Sequence, residues 1–158
     1  MKRKPKIDTY DPKIYPRILW VADDIEDLDK VFYFMKTNNP TEISKETFDD
    51  IINDVEEGSS IAVTCPVMHR VTNKLGVLVI LLDKECADHN VIAHESVHVA
   101  DYFYNQLGLY TQDFVDGNEA YAYLVGWSAG CISDTLIKSK KYDNRGKQDN
   151  VGDREIEY

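Results

Sequence analysis

The spacing of apolar and polar residues divides the chain into segments with strand-like and helix-like periods. Residues 18–21 form a short apolar run and residues 61–64 form another, which predicts two strands. Residues 75–82 form an almost continuous apolar run, as in a central strand, and Asn73 and Gly76 lie near the bend between this run and residues 61–64. These segments predict a small antiparallel sheet.

Helical spacing is found on both sides of these runs. The acidic pair at 23–24 predicts the start of a helix that continues through Phe34 and is broken by Pro40. Apolar residues recur at helical spacing over 45–56, and Gly58 follows them as a stop signal. The chain therefore mixes strands with helices, which predicts an α+β fold.

Two further helices are predicted in the second half of the chain. The first covers 88–105, because Asp88 is a helix-starting residue and Gly108 is a stop signal. The second begins at Glu119 and is rich in small residues, which let helix axes approach closely. The small residues of this segment are Ala120, Ala122, Gly126, Ser128, Ala129, Gly130 and Ser133.

The helix predicted over 88–105 carries an H-E-x-x-H motif, His94-Glu95-x-x-His98. Residues four apart share one helix face, so both imidazoles can bind a single zinc ion. Glu95 stands beside the first histidine, where a carboxylate can take a proton from a zinc-bound water. The alternative is chance, because such a motif occurs by accident in roughly one chain in several hundred of this length.

Two acidic residues are candidates for a third ligand. Asp101 follows His98 on the same face, but it lies about 10.5 Å along the helix axis from His94, too far to share one ion with it. We expect it either to orient an imidazole or a neighbouring helix, or to form an ordinary salt bridge at the helix end. Glu119 follows the loop after the first helix, and an antiparallel second helix would bring it back towards the histidines. We favour Glu119 as the ligand, the alternative being a first-turn acid favoured by the helix dipole.

With these residues the chain resembles the gluzincin zinc metallopeptidases, and most of all their small single-domain bacterial or phage forms, the minigluzincins. The resemblance rests on His94-Glu95-x-x-His98 followed by the pair Asn118-Glu119 at the start of a second helix. It implies a zincin-like fold, with His94, His98 and Glu119 as ligands of one zinc ion per chain. It implies that Glu95 is the catalytic base.

The resemblance covers 75–127, a third of the chain, and departs from the family pattern at two points. Gluzincins of the thermolysin kind often have an aspartate one turn after the glutamate ligand, where this chain has Tyr123. The histidine or tyrosine that steadies the oxyanion in the family has no clear counterpart. The other two histidines, His69 and His89, are interpreted as a loop residue and a helix-start surface residue.

The amino-acid composition argues against some classes of function. The 158 residues carry a net charge of −10, which argues against binding the phosphate backbone of nucleic acids. No apolar signal core or transmembrane run is found, and the three cysteines form neither a C-x-x-C pair nor a disulfide framework. We therefore expect a cytoplasmic protein with no nucleic-acid or membrane partner.

These observations lead to one predicted organisation and function. We expect a single zincin-like domain over 1–137, in which the sheet packs on the motif helix and the helix with the glutamate ligand lies beside it. A polar, flexible tail is expected over 138–158. The predicted activity is zinc-dependent hydrolysis of peptide bonds in a peptide or protein substrate. The alternative is a non-catalytic zinc-binding adaptor or regulatory module that keeps the metallopeptidase fold.

Overall fold

A computed structural model of the chain describes residues 4–113 and 115–149. They form an α+β fold built on one five-stranded sheet with the strand order β1-β2-β5-β4-β3. The strands are β1 (Ile7–Tyr10), β2 (Ile18–Ala22), β3 (Phe32–Phe34), β4 (Ala62–His69) and β5 (Leu75–Leu81). The helices are α1 (Leu28–Val31), α2 (Glu46–Glu56), α3 (His89–Leu107) and α4 (Glu119–Asp149).

The sheet is mixed, so the prediction of a purely antiparallel sheet was wrong. Strands β4 and β5 form an antiparallel pair, but β2 pairs in parallel with β5, and Ile18 lies opposite Gly76. A parallel pair requires a long crossover connection, and here the chain between the two strands includes α1, β3, α2 and β4. Short apolar runs do not indicate the direction of such a strand.

Strand β5 is central and buried on both faces, as the apolar run predicts. Val77 and Val79 point into one core, which α3 and α4 cover, whereas Leu78 and Ile80 point into a second core on the opposite face. Because successive side chains of a strand alternate between faces, one strand supplies both cores. The motif helix α3 therefore rests on a rigid sheet.

The limits of α3 agree with the sequence prediction to within two residues. The Asp88 side chain caps the helix by accepting a 3.0 Å hydrogen bond from the backbone N–H of Val91. At the other end Gly108 has a φ of 64°, a left-handed conformation that glycine adopts without steric cost. Both signals are local in sequence, which is why they could be read without the structure.

The segment after β2 corrects another prediction. The helix predicted from 23–24 through Phe34 is limited to Leu28–Val31, and Phe32–Phe34 form strand β3 beside β4. Phe32 and Phe34 are buried while Tyr33 between them is partly exposed, which is a strand period of two. Strand β1 was not predicted, because Ile7–Tyr10 alternates too weakly to be distinguished from a loop.

Helix α4 continues well into the segment that was predicted as a tail from residue 138. The buried Ser139 hydroxyl donates a 2.8 Å hydrogen bond to Asp23, and Lys84 forms a 2.7 Å ion pair with Asp143. These long-range contacts favour a helix over an otherwise polar stretch. Residues 150–158, the end of the predicted tail, lie outside the described residues.

Among the described residues, no helix is both long enough and apolar enough to cross a membrane. Cys65, Cys86 and Cys131 are free thiols. The cytoplasmic location expected from the sequence stays a prediction.

Candidate active site

Helix α3 lies with its apolar face on the sheet and its histidines turned outward. Val99 and Phe103 are fully buried in the core between the sheet and the two long helices, whereas His94 is exposed and His98 is partly exposed. The difference follows from helical periodicity, since residues four apart lie on nearly the same face. Both imidazoles are therefore open to a ligand from solvent.

The two imidazoles converge. The Nε2 atoms of His94 and His98 are 3.0 Å apart, and their ring planes are inclined by 83°. Zinc–nitrogen bonds of about 2.0–2.1 Å in a tetrahedral site place two nitrogens about 3.3 Å apart. The observed pair needs to open by only about 0.3 Å to match that spacing. The pair, whose nitrogens are close enough for a direct hydrogen bond between them, thus fits two positions of a zinc site in donor type and in nitrogen–nitrogen spacing.

Glu95 points away from solvent, about a quarter-turn around α3 from His94. Its side chain is buried, with the residue 6% exposed, and its Oε2 accepts a 2.6 Å hydrogen bond from the Thr64 hydroxyl on β4. Glu95 and His94 also line one wall of an open cleft of about 390 Å³. The other residues of this cleft are Ser59, Ser60, Ile61, Ala62, Asn90 and Val91. The carboxylate therefore stands at the boundary between the core and the cleft.

Cys65 follows Thr64 on β4 but faces the opposite core, and it is not among the residues that line the cleft. Burial, followed by the nearby charge of Glu95, raises the pKa of the Cys65 thiol well above its usual range. This buried thiol on the far side of the strand is therefore not a candidate ligand of the site.

On its other side the histidine pair is bordered by the start of α4. The Tyr121 hydroxyl donates a 2.6 Å hydrogen bond to Asp101 Oδ1, and Asp101 Oδ2 lies 4.0 Å from Nδ1 of His98. Burial and then the bond to Asp101 raise the pKa of Tyr121, which keeps its hydroxyl protonated as a donor. Asp101 thus joins α4 to the turn of α3 that carries His98.

Glu119 lies at the first position of α4, as predicted, but its side chain is exposed and does not meet the histidines. Tyr121, which contacts α3, is two residues further and therefore about 200° around the helix. Glu119 instead lines a separate groove with Tyr123, Gly126 and others. Within 4–113 and 115–149, no three His, Cys, Asp or Glu side chains are grouped so that they could hold a metal.

The remaining histidines lie apart from this site. His69 is at the end of β4, where its ring stacks on Trp20 at a centroid distance of 5.9 Å in the core of the opposite sheet face. Its Nδ1 accepts hydrogen bonds from the backbone of the following turn. His89 is exposed at the first position of α3. Tyr123, which stands where some gluzincins have an aspartate, is 76% exposed.

Two residues of the site were not found by sequence reasoning. Thr64 shares a face of β4 with Ala62, so strand alternation could have placed its hydroxyl towards α3. Tyr121 was not predicted to have a role, because a tyrosine among apolar residues is usually a packing residue. Neither has a sequence signal that identifies its partner.

Comparisons with known proteins do not assign a family. The chain matches no protein-family model, and it has no significant similarity to a curated protein or to a solved structure. The functional argument therefore rests on the residues and their geometry.

Proposed function

We propose that this protein is a zinc-dependent metallopeptidase with a zincin-like domain. The observation that carries the proposal is the convergence of the His94 and His98 Nε2 atoms at 3.0 Å beside the buried Glu95 carboxylate. Two histidines and a neighbouring acid are the donor and base types that metal-assisted hydrolysis requires, and His94 and Glu95 line the open cleft.

His94 and His98 would hold the zinc ion, with Glu119 as the proposed third ligand. Bound zinc lowers the pKa of a water molecule and polarises a carbonyl oxygen. In the structure the Glu119 carboxylate lies beside the outer groove of α4, so its participation requires the first turn of that helix to rearrange. Glu119 remains the candidate because it opens the helix that borders His98 through Tyr121 and Asp101.

Glu95 would carry the proton transfers. Its carboxylate takes a proton from the attacking water as that oxygen bonds to the substrate carbonyl carbon. It then gives the proton to the leaving amide nitrogen as the carbon–nitrogen bond breaks.

The free edge of β4 supports a peptide as the substrate. Strand β3 pairs with β4 only at Val67–His69, so among the described strands the first half of β4 has one partner, β5, on one side. Ala62, in that first half, lines the cleft together with His94. An extended peptide could add to this edge through backbone hydrogen bonds, which is a common mode of peptide recognition.

The decisive experiment for this function is Glu95→Gln. We expect turnover of a peptide library to fall by about 100- to 10,000-fold, while zinc content stays the same, because the amide keeps the shape but cannot accept the proton. Glu85→Gln, at an exposed position before α3, is the matched control and should keep full activity. Equal turnover by wild type and Glu95→Gln would exclude Glu95 as the base.

One observation favours a second function, a zinc-binding adaptor or regulatory module without catalysis. Because Glu119 points outward, the part of the chain that the structure describes offers the histidine pair no third ligand in this arrangement. In such a module zinc would bind without any peptide turnover, and Glu95→Gln would change nothing. The same measurements therefore discriminate the two functions.

A further inference from the structure

We propose that Thr64 is a positioning residue for Glu95, one that fixes the carboxylate of the base from strand β4. The inference rests on the proposed function, since it assigns Glu95 a chemical role. It adds a residue that the H-E-x-x-H motif does not contain and that lies 31 positions away in sequence.

The contact is short and directional. The Thr64 hydroxyl donates to Glu95 Oε2 at 2.6 Å, a distance typical of hydroxyl donors to carboxylates. Among residues 4–113 and 115–149, Glu95 makes no other side-chain hydrogen bond. One hydroxyl thus holds one carboxylate oxygen, and Oε1 is left for a water or substrate in the cleft.

Thr64 is well suited to hold a flexible side chain in place. A threonine has a stiff first side-chain torsion because it is branched at Cβ. Its strand is fixed by the antiparallel register with β5, in which Thr64 lies opposite Val79 at the buried centre of the sheet. Glu95 has three side-chain torsions, so without this donor its carboxylate would sample several rotamers at the cleft wall.

The next residue of the strand gives no substitute donor. Cys65 lies on the same strand but faces the opposite core, where its thiol is directed to the carbonyl of Leu78. Because a misplacement of about 1 Å can cost on the order of a hundredfold in rate, loss of the Thr64 hydroxyl should act on catalysis and not only on folding.

The test compares Thr64→Val, which removes the donor and keeps the shape, with Thr64→Ser, which keeps the hydroxyl. We expect Thr64→Val to lower kcat about 10- to 100-fold, with KM within about twofold and zinc content unchanged. Thr64→Ser should restore most of kcat. Thr9→Val, the same change at an exposed strand position, is the control and should match wild type.

A second readout does not depend on activity. The midpoint of urea denaturation is measured for four chelator-treated proteins, which are wild type, Thr64→Val, Glu95→Gln and the double variant. Together they form a double-mutant cycle. If the two side chains interact as observed, the effects of Thr64→Val and Glu95→Gln on the midpoint are non-additive. The effects of Thr9→Val and Glu95→Gln, whose side chains are not in contact, should be additive.

The outcomes separate the two claims. Unchanged kcat in Thr64→Val, with active wild type, overturns the positioning role and leaves the metallopeptidase function standing. Additive midpoints also overturn it, because the contact would then be absent in solution. Failure of Thr64→Ser to restore kcat points to packing and contradicts the role of the hydroxyl. A zinc-loaded wild type without turnover overturns the proposed function and this inference with it.

Discussion

The hydroxyl of Tyr121 on α4 donates a 2.6 Å hydrogen bond to the carboxylate of Asp101 on α3. The other oxygen of Asp101 lies 4.0 Å from Nδ1 of His98, on the opposite side of that imidazole from Nε2, the proposed zinc-binding atom. One carboxylate therefore bonds to α4 and lies beside the candidate ligand, at a separation longer than a hydrogen bond. A carboxylate that closes such a distance and accepts the imidazole N–H orients a ligating histidine.

Replacement of Tyr121 by Phe tests this coupling. The change leaves the ring packed against Tyr104 and removes the hydroxyl, which donates to Asp101 and makes a longer, 3.5 Å contact with the carbonyl oxygen of Val97. We expect zinc affinity to fall by about tenfold, because outer partners of metal ligands typically contribute 10- to 100-fold. Competition with a chromophoric chelator measures the affinity. Tyr123→Phe, two residues further at a 76% exposed position, should leave it unchanged. Equal affinities for all three proteins would show that the Tyr121 hydroxyl has no influence on the metal.

The third ligand is tested by Glu119→Gln. If Glu119 joins the histidines when zinc binds, removal of its charge should weaken zinc binding by at least about tenfold and leave the metal-free protein equally stable. Asp116→Asn removes the same charge from an exposed position in the preceding loop and is the matched control. Indistinguishable affinities for the two variants would remove Glu119 from the ligand set.

Substitution of Gly76 tests the parallel pairing of β2 with β5. A Cβ at this position would stand 1.9 Å from the carbonyl oxygen of Ile18, the residue paired with it across β2 and β5. Gly76→Ala should therefore lower the free energy of unfolding by more than about 2 kcal/mol, because backbone cannot move aside as a side chain can. Gly130→Ala, in α4 with open space around it, should raise it by about 0.5–1 kcal/mol. Urea denaturation measures both, and a Gly76→Ala protein as stable as wild type would contradict the parallel pairing.

The sequence predicted best where the signals are local. Asp88, Gly108 and the apolar back face defined α3 nearly to the residue, and the unbroken apolar run identified β5 as central. The motif placed His94 and His98 on one face, and the structure has them converging. In each case the controlling interaction spans only a few residues.

Predictions were poorer where contacts between residues distant in sequence determine the structure. The parallel pairing of β2 with β5 depends on a connection of more than fifty residues, and Ser139 extends α4 through its bond to Asp23. Strand β3 was taken for helix because three residues are too few to show a period. The direction of Glu119 depends on how α4 emerges from the loop before it, and no short pattern encodes that rotation.

The central claim is a zinc site on α3, and metal content tests it most directly. Purified wild-type protein, loaded with zinc and freed of excess metal, should contain close to one zinc per chain by inductively coupled plasma mass spectrometry. His98→Ala should contain almost none, because one of two convergent imidazoles is lost. His89→Ala, at the exposed start of the same helix, should keep the wild-type content. Full zinc content in His98→Ala, or none in wild type, would contradict the site.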